Sequence, residues 1–321
     1  MGTDRRDVIE LVCGDGSGRL KIAPQRGFNA FAWDVEWRGR TIPVLWSEPL
    51  FPGEGTRSTG SGIPILFPFA GRIGGARFSW RGTTYQLPDG DGQGNAIHGA
   101  VCDRAWEIVE QEPDRVTGCF VASRQWPEWS TQWPADFRLE CTYTLRPWRL
   151  EVRFTVSNLS PAALPCGLGI HPYFAVDLDG EAARLHLPAH RRWELEGLVP
   201  TGHWDDWHEP PGGIALAETR LDDVVSSWEP TADGWQEVVL QRAADAPDVT
   251  IRFRGADFPF GVVYTAPHRR AVCFEPYSML PNAFALAGEG IETGLWVLEP
   301  GASRGVSISI GVGDDTSGDS S

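Results

Sequence analysis

Hydrophobic and polar residues alternate along much of this chain with a period of two. The clearest case is FRLECTYTLRPWRLEVRFTVSN, residues 137–158. Phe137, Leu139, Cys141, Tyr143 and Leu145 alternate with polar residues, and after RPWR the pattern resumes at Leu150, Val152, Phe154 and Val156. Two such runs joined by a short proline-containing turn predict a long β-hairpin with one buried face. Shorter runs of the same kind are VIELVC (8–13), FAWDVEW (31–37), WEIVEQ (106–111), GCFVASR (118–124), EVVLQ (237–241), VTIRF (249–253) and GVSISIGV (305–312). No segment keeps the i, i+3, i+4, i+7 spacing of an amphipathic helix over a dozen residues. The pattern therefore predicts a mostly β protein, a large twisted two-sheet sandwich with too many strands for a small one. No linker composition divides the middle, so one domain is expected over residues 1–312. The small, acidic stretch GDDTSGDSS, 313–321, is expected to be a disordered tail.

Composition sharpens this picture. Of 321 residues, 41% are hydrophobic, enough for a large core, and 37 glycines and 25 prolines punctuate many short segments. No apolar run is long enough for a membrane helix or an export signal, which predicts a cytoplasmic protein. A formal net charge of -15 argues against nucleic acid or anionic lipid as partners. The six cysteines are scattered without C-x-x-C or zinc spacing, so buried free thiols are expected.

Four stretches carry candidate chemistry: PILFPFAGRIGGARF (64–78) with Arg72, NAIHGAVCDRAW (95–106) with His98, GLGIHPYF (167–174) with His171, and CFEPYSMLPNAF (273–284) with Glu275. Pro172 pushes His171 into extended geometry, at a strand end or turn. Gly167 and Gly169 beside it allow close backbone approach. Taken singly, each residue has an ordinary explanation. His171 reads as a buried histidine bonded to a carbonyl, and His98 as a turn residue. Arg72 and Glu275 each end an apolar run and could form a structural ion pair with one another. The loop DGDGQGN (89–95) lacks the twelfth-position glutamate of a calcium loop, since residue 100 is Ala100. His186, His190, His203 and His208 lack metal-ligand spacing. No phosphate-binding or nucleophile-elbow motif is present.

In order along the chain, these stretches resemble the aldose 1-epimerase (galactose mutarotase) family from about Ile22 to Gly311. The matching segments are P-x-L-F-P-x-x-G-R-I (Pro64–Ile73), His98-Gly99 with Trp106 downstream, G-x-x-x-H-P-Y-F (Gly167–Phe174), E-P-x-[ST] running to P-N-A-F (Glu275–Phe284), and P-G-x-S (Pro300–Ser303). The resemblance implies a single-domain β-supersandwich that needs no cofactor or metal. It implies His171 as general acid, Glu275 as general base, and Arg72 and His98 as sugar-binding residues. A sugar-binding aspartate falls in LDDVV (221–225), where Asp222 fits the spacing better than Asp223. Many members have Asn before the arginine, where this chain has Gly71, which leaves the sugar open. The implied reaction interconverts α and β anomers of a free hexose or related sugar. It needs one acid and one base astride a C–O bond, which histidine and glutamate supply near neutral pH. The alternatives are a hexose-6-phosphate 1-epimerase, with Arg57, Arg72 and Arg77 as phosphate ligands, and a non-catalytic carbohydrate-binding homologue. A glycosidase would use two carboxylates rather than a histidine acid. The expected partner is a small-molecule sugar, with no nucleic acid or membrane, and the protein a monomer or homodimer.

Overall fold

The structure is a computed structural model and describes residues 8–180 and 182–313. The expected tail, from residue 314 onward, lies outside them. The chain is 48% strand and 8% helix, so the fold class is mostly β, as the alternation predicts. Three α segments of four to six residues are described, the longest Ala283–Gly288.

Two large sheets face each other. One has nine antiparallel strands in the order Glu107–Gln111, Arg115–Val121, Phe137–Arg146, Arg149–Asn158, Ser303–Val312, Val249–Phe253, Gln236–Gln241, Arg184–His186 and Ile214–Ala215. The other runs Val199–Asp206, Ala189–Glu196, Asp222–Trp228, Phe260–Thr265, Ala271–Tyr277, Gly169–Ile170 and Ile65–Leu66, with Tyr173–Ala175 also paired to Ala271–Tyr277. A four-stranded sheet from residues 9–43 packs into the same core.

The predicted hairpin forms with Phe137 opposite Asn158 and Arg146 opposite Arg149. The strands thus include both arginines of RPWR, and the turn is only Pro147-Trp148, with Trp148 at φ 61°. Every alternate residue named above, from Phe137 to Val156, is at most 1% exposed. The run at 118–124 ends its strand at Val121. The chain then turns into a short helix, Ala122–Gln125, instead of extending the strand. All six cysteines are free and buried, as expected.

The core lies between the sheets. Phe253 of the nine-stranded sheet stacks on Phe274 of the other at 5.7 Å, and Phe67 meets Phe137 edge-on at 4.7 Å. Because successive side chains point to opposite faces of a strand, burying Val272 and Phe274 in this core turns Cys273, Glu275 and Tyr277 to the outer face. Core packing therefore fixes which face of the sheet receives the glutamate. Truncating Phe274 to Ala should destabilise the fold by about 3–5 kcal/mol through the lost transfer energy and the cavity left behind. Denaturant midpoints measure this, and a loss below about 1 kcal/mol would show that the sheets do not depend on that contact.

Candidate active site

The outer face of the eight-stranded sheet carries rows of side chains set by strand register. Asp222, Tyr264, Cys273 and Tyr173 form one row, each opposite the next across adjacent strands. Val224, Val262 and Glu275 form the neighbouring row. Loops from the other end of the chain bring in the remaining groups. Arg72–Ile73 pairs with Ala96–Ile97, and the backbone N–H of His98 donates to the Gly71 carbonyl at 2.9 Å. His98 takes a left-handed φ of 62°, an uncommon conformation for a residue with a side chain, directly at the cleft.

These elements enclose a cleft of about 690 Å³, lined by Arg72, His98, His171, Asp222 and Glu275 together. All five residues named from sequence thus meet, although Arg72 and Glu275 lie some two hundred positions apart. Asp223 is not part of the lining; its carboxylate lies 3.9 Å from Arg192. Among the three arginines weighed as phosphate ligands, Arg57 and Arg72 line the cleft and Arg77 does not.

His171 sits between the short strands Gly169–Ile170 and Tyr173–Ala175, in the strand-end position predicted from Pro172. Its backbone N–H donates to Pro64 O at 3.0 Å. Its Nε2 lies 3.3 Å from Glu275 Oε1, and both side chains are buried. The imidazole stacks flat on Tyr173, with ring centroids 4.6 Å apart and planes 4° from parallel. Tyr173 donates its hydroxyl to Thr59 O at 2.6 Å, which fixes the stacking platform. Gly169 is required here, since a Cβ would meet the Tyr277 ring at 2.6 Å. The carbonyl partner expected for a merely structural His171 is absent: Nδ1 is buried with no hydrogen-bond partner among the described residues.

Glu275 is held from its other oxygen. Tyr277 donates its hydroxyl to Oε2 at 2.6 Å, leaving Oε1 toward His171 and the cleft. Burial pushes the Glu275 carboxyl well above the usual carboxylate range, only partly offset by the Tyr277 hydrogen bond and reinforced by the Asp222 charge. Burial lowers the His171 imidazole to about 3. Burial also depresses His98, with His171 and Arg72 adding to the effect, and raises Asp222, opposed by Arg72.

The structural ion pair between Arg72 and Glu275 does not form. Arg72 Nε instead donates to Asp91 Oδ2 at 3.0 Å. Asp91 belongs to the glycine-rich loop 89–95 and also accepts from the Gln93 N–H, the Asn95 N–H and Asn95 Nδ2. Burial alone would raise this carboxyl, but those hydrogen bonds and Arg72 outweigh it and hold it well below the usual range. An ionised Asp91 anchors Arg72 by Nε, so its terminal nitrogens are directed by a fixed stem. Among the described residues no cluster of three His, Cys, Asp or Glu could hold a metal ion, and His186 and His190 each face a glutamate.

Tyr173, Tyr277 and Asp91 escape the sequence reading. The two tyrosines carried a usable signal, since each lies two residues after His171 or Glu275 and so shares its face on an extended chain. Asp91 carried none beyond its loop composition. Gly71, the departure from the family pattern, adopts φ 68°, and a Cβ there would meet Pro281 at 2.6 Å. Pro281 lines the cleft at the place a side chain on residue 71 would occupy.

A family profile described as aldose 1-epimerase matches residues 35–311. The chain is 28% identical to the uncharacterised protein YihR of Escherichia coli (strain K12) over 246 residues, 74% of each chain. It is 31% identical to YphB of the same bacterium over 147 residues, 44% of this chain and only 48% of YphB. Among solved structures, a galactose mutarotase-like protein from Clostridium acetobutylicum superposes with a TM-score of 0.83 at 19% identity, covering 95% of this chain and 98% of that one. The GalM/aldose epimerase homologue from C. elegans gives 0.78 at 17% identity, covering 95% and 98%. At such identities the structural likeness speaks for the fold alone. The profile match spans most of the sequence, and with it the chain belongs to the aldose 1-epimerase family.

Proposed function

We propose that this protein is an aldose 1-epimerase that interconverts the α and β anomers of a free hexose or related sugar, with Glu275 as general base and His171 as general acid. The observation that supports it most is the 3.3 Å approach of a buried imidazole to a buried carboxyl inside a cleft. Arg72, His98 and Asp222 line the same cleft as hydroxyl partners. Glu275 takes the proton of the C1 hydroxyl while His171 Nε2 gives one to the ring oxygen. The C1–ring-oxygen bond breaks, giving the open-chain aldehyde. Rotation about C1–C2 presents the other carbonyl face, and the two transfers reverse. Neither transfer calls for a metal or nucleotide.

The opposed pKa shifts fit this pairing. In the empty cleft burial favours the uncharged state, protonated Glu275 beside neutral His171. Moving that single proton from carboxyl to imidazole gives the ion pair that ring opening uses, with no change in total protons. A bound sugar favours the move, because its hydroxyl donates to the carboxylate and its ring oxygen accepts from the imidazolium. Acid and base then titrate as one unit rather than as two residues.

A free sugar suits the cleft better than a phosphosugar. A phosphate calls for converging arginines. Arg57 and Arg72 are opposed in this cleft by Asp91, Asp103 and Asp222, and Arg72 is already engaged by Asp91.

Two outcomes are expected. Glu275→Gln and His171→Asn should each lower kcat for anomer equilibration by about 10²–10⁴-fold. The double variant should cost far less than the product of the singles, since acid and base act together. Polarimetry or NMR exchange on glucose and galactose measures this, and near-normal turnover in Glu275→Gln would make the glutamate structural. The second outcome concerns pH, after subtraction of the uncatalysed rate. The active pair holds one proton. Acidification inactivates only by adding a second, and burial holds His171 down at about 3. The rate should therefore persist from neutrality down to about pH 5, through the range where an ordinary histidine titrates. On the alkaline side the rate should fall as the pair loses its proton, above the ordinary carboxylate range because Glu275 is raised. A rate that collapses with a midpoint near 6.5 on acidification would contradict the shared proton.

A further inference from the structure

A second cleft of about 530 Å³ lies beside the first, lined by strands of the eight-stranded sheet and by Gln236 at the start of a strand of the nine-stranded sheet. Three strands contribute to both. Trp193, Ser226 and Phe260 line the second cleft, while Leu195, Val224 and Val262, two residues along in each strand, line the first. Two residues of extended chain advance about 6.5 Å, so the clefts are separated by little more than one pleat. Phe260 in turn stands opposite Tyr277, the residue that holds Glu275.

The lining of the second cleft has the character of a saccharide site. Trp204 is 40% exposed even with Arg191 stacked on it, so part of the indole remains open. The Arg191 guanidinium stacks over it at 3.8 Å, and among the described residues no carboxylate pairs with that guanidinium. Its N–H groups remain available to a ligand on an aromatic platform. Gln236 is only 6% exposed, yet its Oε1 has no hydrogen-bond partner among the described residues. Unpaired buried amide oxygens are costly in a folded protein and mark places where a partner is missing. Ser227 adds a left-handed φ of 63° at the same wall, strain of the sort that collects at ligand sites. Exposed indole, free N–H donors and an unpaired acceptor together match a pyranose ring, which offers an apolar C–H face and a rim of hydroxyls.

We propose that this second cleft is a saccharide subsite adjoining the first. The protein would then accept reducing oligosaccharides, with the reducing-end ring at His171 and Glu275 and the next ring on Trp204 beside Arg191. This rests on the epimerase reading for the chemistry at the first cleft, but the subsite itself is tested by binding alone. Calorimetry should compare glucose with maltose and galactose with lactose on the full chain. Wild type should bind one or both disaccharides at least tenfold more tightly than the matching monosaccharide. Trp204→Ala should remove most of that difference, and Arg191→Ala should reduce it, with monosaccharide binding serving as the check that each variant is folded. Two molecules of monosaccharide bound by wild type and one by Trp204→Ala would also support a saccharide subsite, occupied by a separate sugar. Equal affinities for mono- and disaccharide with a stoichiometry of one, or a disaccharide preference that survives both substitutions, would overturn the proposal. A disaccharide preference in a protein that fails to equilibrate anomers would uphold the subsite while sinking the epimerase reading.

Discussion

A carboxyl and an imidazole buried 3.3 Å apart impose the main demand on this structure. Neither group could carry its charge alone in such a place, because burying an unpaired charge is costly. In the pairing proposed above, one shared proton removes the problem, since the uncharged pair tolerates burial and the charged pair is only a proton shift away. The surroundings hold the two in that relation. Tyr277 fixes one carboxyl oxygen and Tyr173 fixes the plane of the ring. The strand Ala271–Tyr277 carries Glu275 outward because Phe274, beside it, is committed to the core against Phe253. The site and the core are thus the two faces of one strand.

Much of this was legible in the sequence, and the reason is the fixed period of a strand. Long runs such as 137–158 read clearly because ten residues of alternation leave little ambiguity, and the residues expected inside are inside. Three of the four site stretches were harder, since they hold strands only two residues long, at Ile65–Leu66, Arg72–Ile73, Ala96–Ile97 and Gly169–Ile170. Such segments have no period to read, and they were visible only through their likeness to a family. The meeting of Arg72 with Asp91, rather than with Glu275, was beyond sequence reasoning. It depends on a glycine-rich loop folding so that Asp91 collects backbone N–H groups, a geometry that composition does not encode. The tyrosine partners of His171 and Glu275 could have been named from the two-residue offset alone.

On the epimerase reading proposed above, the acid character of the cleft and the bare residue 71 bear on the choice of sugar. With Asp91, Asp103 and Asp222 in the lining, added negative charge on the ligand is disfavoured. Gly71 and Pro281 form an apolar wall of the cleft.

The protonation state of Glu275 at neutral pH tests the shared-proton pair most directly. Infrared difference spectra between wild type and Glu275→Gln, taken without sugar at pH about 7, isolate the stretch of this one carboxyl. A protonated carboxyl band that weakens on addition of saturating sugar, as the proton moves to His171, is the predicted result. A carboxylate band at neutral pH in the empty protein, unchanged by sugar, would contradict the pair and leave ring opening without its source of acid.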